Sequence, residues 1–143
     1  MVAPNIVLDT NVIVAALRSK KGASYKLLSL VGTHTFEIHD SVALILEYED
    51  VLQRHRAELG LSQEDVSTLI DSLVSMAHHH QIYFLWRPFL SDVNDELILE
   101  LAVSANCEYI VTHNISDFRG TEKFGVKAIT PKEFWQIIRE VKE

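Results

Sequence analysis

The chain has 143 residues, 48% of them hydrophobic, with a slightly positive mean hydropathy and a net charge of −7. This is the size of one ordinary domain, taken as 1–143, long enough to bury a real core and too apolar for disorder. A lone cysteine, Cys107, excludes an intrachain disulfide and a cysteine-based zinc site. No apolar run approaches the ~18 residues of a membrane span, and the N-terminus lacks the pattern of a signal peptide, so a reducing cytoplasm is the expected compartment. Twenty acidic residues against 13 basic ones argue against a protein that holds nucleic acid by backbone charge alone. Such a partner would need a metal cluster and a local basic patch.

The run Asn5–Asp9 is short, apolar and β-rich, which predicts a strand buried on both faces. Thr10-Asn11 leads into an apolar, helix-compatible stretch from Val12 to Leu17, and Ser19-Lys20-Lys21-Gly22 breaks it. A helix follows over Ala23–Val31, then an alternating strand over Thr35–His39. Asp40-Ser41 is a candidate N-cap pair for a helix with Val42, Leu44, Ile45, Leu46, Val51 and Leu52 on its apolar face. Gly60-Leu61-Ser62 ends it. Ser62 and Asp65 have capping-box spacing, with Asp in place of Glu. The stripe Val66, Leu69, Ile70, Leu73 and Val74 predicts a helix to about His78, which leaves His78-His79-His80 as a solvated helix terminus. Gln81–Leu85 is predicted as a third strand and Trp86–Val93 as a loop. A helical stripe after Asn94-Asp95, a fourth strand over Cys107–Val111, loops at His113–Asp117 and Gly120–Gly125, and a fifth strand over Lys127–Ile129 complete the alternation. Thr130, Pro131 and Glu133 suit N-cap, N1 and N3 of a last helix. The pattern predicts an α/β fold: three α/β/α layers around a central parallel sheet of about four to five strands.

In an open parallel sheet, function gathers at the carboxyl ends of the strands. Past the first predicted strand stand Asp9, Thr10 and Asn11. Past the fourth stand Thr112, His113 and Asn114, then Ser116 and Asp117. Asp92, Asn94, Asp95 and Glu96 open the helix before the fourth strand, and Glu47 lies two turns into the helix after the second. Each acid alone has an ordinary use. Asp9 can cap a helix, Glu47 can be solvated, Asp92 and Asp95 can answer a helix dipole, and Asp117 can sit in a turn. Together at one sheet edge they need a neutralising cation. Oxygen donors suit Mg²⁺ or Mn²⁺, which can activate water and stabilise charge on a phosphoryl oxygen. Trp86, Phe134 and Trp135 are read as packing residues first and as base-stacking residues second. Arg18, Lys20 and Lys21 form the basic patch nearest the start of the chain.

The segments Val7-Leu-Asp-Thr-Asn-Val12, Glu47 within Leu46–Leu52, Asp95 within Asn94–Ala102, and Val111-Thr-His-Asn-Ile-Ser-Asp-Phe118 resemble the PIN-domain family, in order and over nearly the whole chain. The likeness is strongest to the VapC-like toxins of bacterial toxin–antitoxin pairs. The resemblance implies a Mg²⁺- or Mn²⁺-dependent endoribonuclease with Asp9, Glu47, Asp95 and Asp117 as catalytic acids. Asp9, Asp95 and Asp117 would be metal ligands, and Thr10, Asn11, Asp92, Thr112 and Asn114 would support them. His113, Arg18, Lys20 and Lys21 become candidates for substrate phosphates. It also implies an RNA substrate, a small antitoxin partner and a homodimer. Many relatives carry an acid where this chain has Asn114, which puts a second metal in doubt. Two rival readings stay open: a catalytically degenerate RNA- or protein-binding module, and a phosphohydrolase of small esters. The latter needs an Asp-x-Asp pair where this chain has Asp9-Thr-Asn11.

Overall fold

The computed structural model describes residues 3–82 and 89–142. Among these residues, five parallel strands, β1 (Asn5–Leu8), β2 (Glu37–Asp40), β3 (His78–His79), β4 (Tyr109–Val111) and β5 (Lys127–Ile129), form one sheet in the order β3-β2-β1-β4-β5. Six helices flank it: α1 (Thr10–Arg18), α2 (Ala23–Leu30), α3 (Val42–Leu59), α4 (Gln63–Met76), α5 (Val93–Ser104) and α6 (Pro131–Lys142). The predicted three-layer α/β/α architecture is the observed one.

β1 is central because its apolar run leaves it no solvent face. Ile6 and Val7 are fully buried and Leu8 nearly so. Ile6 registers with Ile38 on one side, while Ile6, Val7 and Leu8 register with Tyr109, Ile110 and Val111 on the other. The ends of β1 and β4 therefore coincide, which brings the residues after Leu8 beside those after Val111. On the helices, α1 packs on α2, α2 on α6, and α3 on both α4 and α5. Local signals set the helix starts. Ser62 and Asp65 form the reciprocal capping box, and Thr130 and Glu133 form another at α6. Ser41 caps α3, whereas Asp40, predicted as its partner in capping, is the buried last residue of β2.

The third strand departs from expectation. The helix predicted to about His78 stops at Met76, and the histidine tract begins the edge strand. His78 and His79 register with His39 and Asp40. Side chains then lock the edge: His79 Nδ1 lies 2.5 Å from Asp40 Oδ1, and His80 Nε2 lies 2.7 Å from His39 Nδ1. The ring of His78 stacks on that of His39 at 4.9 Å. The tract is thus tied to β2 and is not a solvated helix end. Of the strand predicted over Gln81–Leu85, Gln81 and Ile82 lie outside any strand, and the rest falls outside the described residues, as does Trp86. Two predicted loops each contain a short 3-10 helix, Ile115–Phe118 and Thr121–Phe124.

Candidate functional site

Asp9 follows β1 directly. Its backbone N–H donates to Val111 O at 2.9 Å, which pins it where β1 and β4 end together. It occupies the N-cap position of α1, yet its carboxylate caps nothing there. Instead Oδ2 accepts from Thr112 Oγ1 at 2.7 Å and from Asn11 Nδ2 at 3.3 Å. Asp9 is buried. Burial pushes its pKa above the usual carboxylate range, opposed by the bonds from Thr112 and the Thr10 backbone and reinforced by the charges of Glu47 and Asp117. The helix-cap use is therefore set aside: the desolvated carboxylate is held by Thr112 and Asn11 and feels the charges of Glu47 and Asp117.

Glu47 comes from the second turn of α3 and accepts a hydrogen bond from Thr10 Oγ1 at 2.7 Å. Thr10 thus holds the helical acid, while Thr112 and Asn11 hold Asp9. Tyr48, the next residue, is buried and donates its hydroxyl to Leu8 O, clamping α3 to the end of β1. Asp95 stands in the first turn of α5, partly buried. Its pKa is pushed up to about 7, first by burial and then by the charges of Asp92, Asp9, Asp117 and Glu47. Asp92 is the N-cap of α5, accepting from the N–H groups of Asn94 and Asp95. It places Asp95 and adds negative potential. Asp117 lies exposed in the 3-10 helix after β4, and its charge reaches both Asp9 and Asp95.

A cleft of about 680 Å³ has Asp9, Thr10, Asn11, Glu47, Asp95 and Asn114 in its lining. Thr112 lies fully buried beneath it and accepts the Asn114 N–H at 3.0 Å while donating to Asp9. Arg18 is at the rim, with its guanidinium 2.5 Å from Glu58. Lys20 and Lys21 are exposed in the loop between α1 and α2 and line no part of this cleft. His113 does line it. Its backbone N–H donates to Asn11 Oδ1, and its ring Nε2 lies 2.9 Å from Ser24 Oγ. Sequence reasoning missed Ser24, Tyr48 and His55, another lining residue. Tyr48 was recoverable, since Leu44, Tyr48 and Leu52 recur every four residues on the buried face of α3. Ser24 and His55 carry no signal of their own.

The donor set is all oxygen, which suits a hard divalent cation and not a thiophilic one. Among the described residues, no group of three or more histidine, cysteine, aspartate or glutamate side chains stands close enough together to hold a metal ion. An open set fits Mg²⁺ or Mn²⁺ best, because such ions retain several waters and take only one or two protein carboxylates directly. The raised pKa values of Asp9 and Asp95 are the electrostatic counterpart: Glu47 and Asp117 act on both, and Asp9 acts on Asp95.

The sequence profile described as PIN domain matches residues 5–116, a span that contains Asp9, Glu47 and Asp95 and ends just before Asp117. Similar folds include the crystal structure of VapBC2 from Rickettsia felis bound to a DNA fragment from their promoter. It is 18% identical, with a TM-score of 0.60, over 88% of this chain and 98% of that one. Another is VapBC-1 from nontypeable Haemophilus influenzae, 17% identical, with a TM-score of 0.59, over 90% of this chain and 98% of that one. At these identities the likeness is one of fold. No curated protein matches the sequence.

Proposed function

The chain belongs to the PIN-domain family, and on that footing we propose that it is a metal-dependent endoribonuclease, the toxin of a toxin–antitoxin pair. The observation that carries the reading is the set of four acids, Asp9, Glu47, Asp95 and Asp117, from four separate segments, acting on one another electrostatically at one sheet edge. Asp9, Asp95 and Asp117 would hold Mg²⁺ or Mn²⁺, with Glu47 beside them. When bound, such an ion lowers the pKa of water to make a nucleophile and neutralises charge on the phosphoryl oxygens. The chain's own part is placement. Thr112 and Asn11 fix the Asp9 carboxylate, Thr10 fixes Glu47, and Asp92 fixes the start of the helix that carries Asp95. Asp95, with a pKa of about 7, would be held deprotonated by a bound cation. Asn114 contributes an amide where an acid would add charge, so one well-held ion is the reading.

The two fold neighbours named above are VapBC structures, which supports a small antitoxin as the partner of this chain; a homodimer is part of the same proposal. The deciding experiment is cleavage of RNA in Mg²⁺ or Mn²⁺ by the wild type and by Asp9→Asn. Cleavage only by the wild type is expected, and equal cleavage would overturn the mechanism. The open donor set and Asn114 favour one second reading, a degenerate binding module. Titration calorimetry with Mn²⁺ separates them: no heat at millimolar metal leaves only the module.

A further inference from the structure

A second cleft, of about 700 Å³, opens beside the acidic one, against α2 and α6. The two share a wall, since Ala15, Ser19 and His113 line both. Their chemistry is opposite. Among the described residues, no carboxylate lines the second cleft; Lys26, Lys132 and Arg139 do. All three are exposed, and none forms an ion pair with another described residue. In a chain of net charge −7, three unpaired cations in one groove call for an anionic occupant. The groove also holds Trp135, which is partly buried against the core and has Lys26 Nζ 5.5 Å from its ring centroid. Core packing accounts for one side of this indole. It does not account for a cleft around it with cations on its rim.

We propose that this groove seats the substrate RNA strand next to the cleaved bond, with an unpaired base stacked on Trp135 and backbone phosphates on Lys26, Lys132 and Arg139. An aromatic platform flanked by cations is the chemistry that holds single strands without reading their sequence. The bases of a duplex are already stacked on one another, so the occupant is single-stranded. Lys26 covers the ring in the free protein; its long side chain yields that face to a base and turns to a phosphate. His113, at the shared wall, marks where the strand would pass from the basic groove to the acids. The proposal rests on the reading of the acidic cleft as a ribonuclease site.

The test is fluorescence-anisotropy titration of a labelled single-stranded RNA of about eight nucleotides in EDTA, so that binding is read without cleavage. The full chain is compared with Trp135→Ala, Trp135→Phe and the surface triple variant K26Q/K132Q/R139Q. Trp135→Ala should weaken binding roughly ten- to hundredfold, the range of base–aromatic stacking, and Trp135→Phe should restore most of it. The triple variant should weaken binding and make the slope of log affinity against log salt shallower by about 0.7 for each phosphate it no longer neutralises. Thermal melts confirm that each variant is folded; the triple variant, changed only at exposed positions, decides the matter if Trp135→Ala is not. Wild-type binding by the triple variant overturns the proposal, as does equal weakening in Trp135→Ala and Trp135→Phe. Binding of an acidic peptide but not of RNA overturns it too. A wild type that binds RNA but cleaves none with Mn²⁺ defeats the nuclease reading and leaves the groove. A wild type that cleaves, with KM unaltered in the triple variant, defeats the groove alone.

Discussion

Replacing Asp95 with Asn should make the metal-free protein more stable and abolish the proposed RNA cleavage. Asp95 is partly buried and faces the charges of Asp92, Asp9, Asp117 and Glu47, and its pKa stands at about 7 against an ordinary 3.8. A raised folded-state pKa means that the folded chain holds the proton more tightly than the unfolded one. Stability is therefore lost as pH rises from about 4, and the loss levels off above about 7. With no solvent near the group, a shift of that size would amount to about 4 kcal/mol. Asp95 is not closed off from water, and screening reduces the expected cost to about 1–2 kcal/mol. Asn has the same shape and no charge, so urea unfolding in EDTA should show a gap between variant and wild type. That gap should be small near pH 4, widen through neutrality and be flat above pH 7. Millimolar Mn²⁺ should close it by stabilising only the wild type. Calorimetry near pH 7 in buffers of different ionisation heat should detect release of roughly half a proton per Mn²⁺ bound. A gap independent of pH, or equal stabilisation of both proteins by Mn²⁺, would show that Asp95 does not carry the repulsion assigned to it.

Three further outcomes are expected. Thr112→Val removes the buried hydroxyl that donates to Asp9 at 2.7 Å; a hydrogen bond to a charged group contributes about 1.5–3 kcal/mol, so Mn²⁺ affinity measured by calorimetry should fall at least tenfold while the fold survives. His39 is held to a pKa of about 4 by burial first and then by the charges of His80 and His78, against the opposing pull of Glu37. Folding should thus weaken as pH drops from about 6.5 towards 4, and His39→Gln should show a shallower loss of urea midpoint over that window. Ser62→Ala breaks the capping box of α4 and should cost about 1 kcal/mol in the same assay, without change in RNA cleavage.

Four of the five described strands and the six described helices were legible because each signal was local or periodic. β1 declared itself by an uninterrupted apolar run and α4 by its stripe, and the caps of α4 and α6 followed from hydroxyl and acid spacing. β3 was not legible. Its residues are three histidines, with no apolar content to mark a strand, and what makes them one is long-range: Asp40 and His39 lie 39 and 41 residues away from their partners. The same distinction divides the site. Asp9, Glu47 and Asp95 line one cleft, as their positions after strands and at helix starts suggested. The division of labour among their supports was hidden, because Thr112 reaches Asp9 across 103 residues and Thr10 reaches Glu47 across 37. Asp92 turned out to cap its helix, and Lys20 and Lys21 stand apart from the cleft, since a loop's sequence does not state which way it faces.

The acidic balance that argued against a nucleic-acid partner loses its force once charge is resolved by place. A polyanion approaching this chain does not meet the average of 20 acids and 13 bases. Beside α6 it meets a groove whose charged lining is cationic, and one wall further on it meets carboxylates that would repel it unless a divalent ion stood between. Asp9 and Asp95 resist ionisation in the absence of that ion. On the proposed reading, affinity and chemistry would depend on different parts of the surface. RNA binding should follow monovalent salt through the groove, whereas cleavage should follow divalent metal and pH through the acids. A salt titration and a metal titration of the same cleavage reaction would separate the two. If low salt raised kcat rather than lowering KM, or if metal changed KM alone, the division of work between the clefts would be wrong.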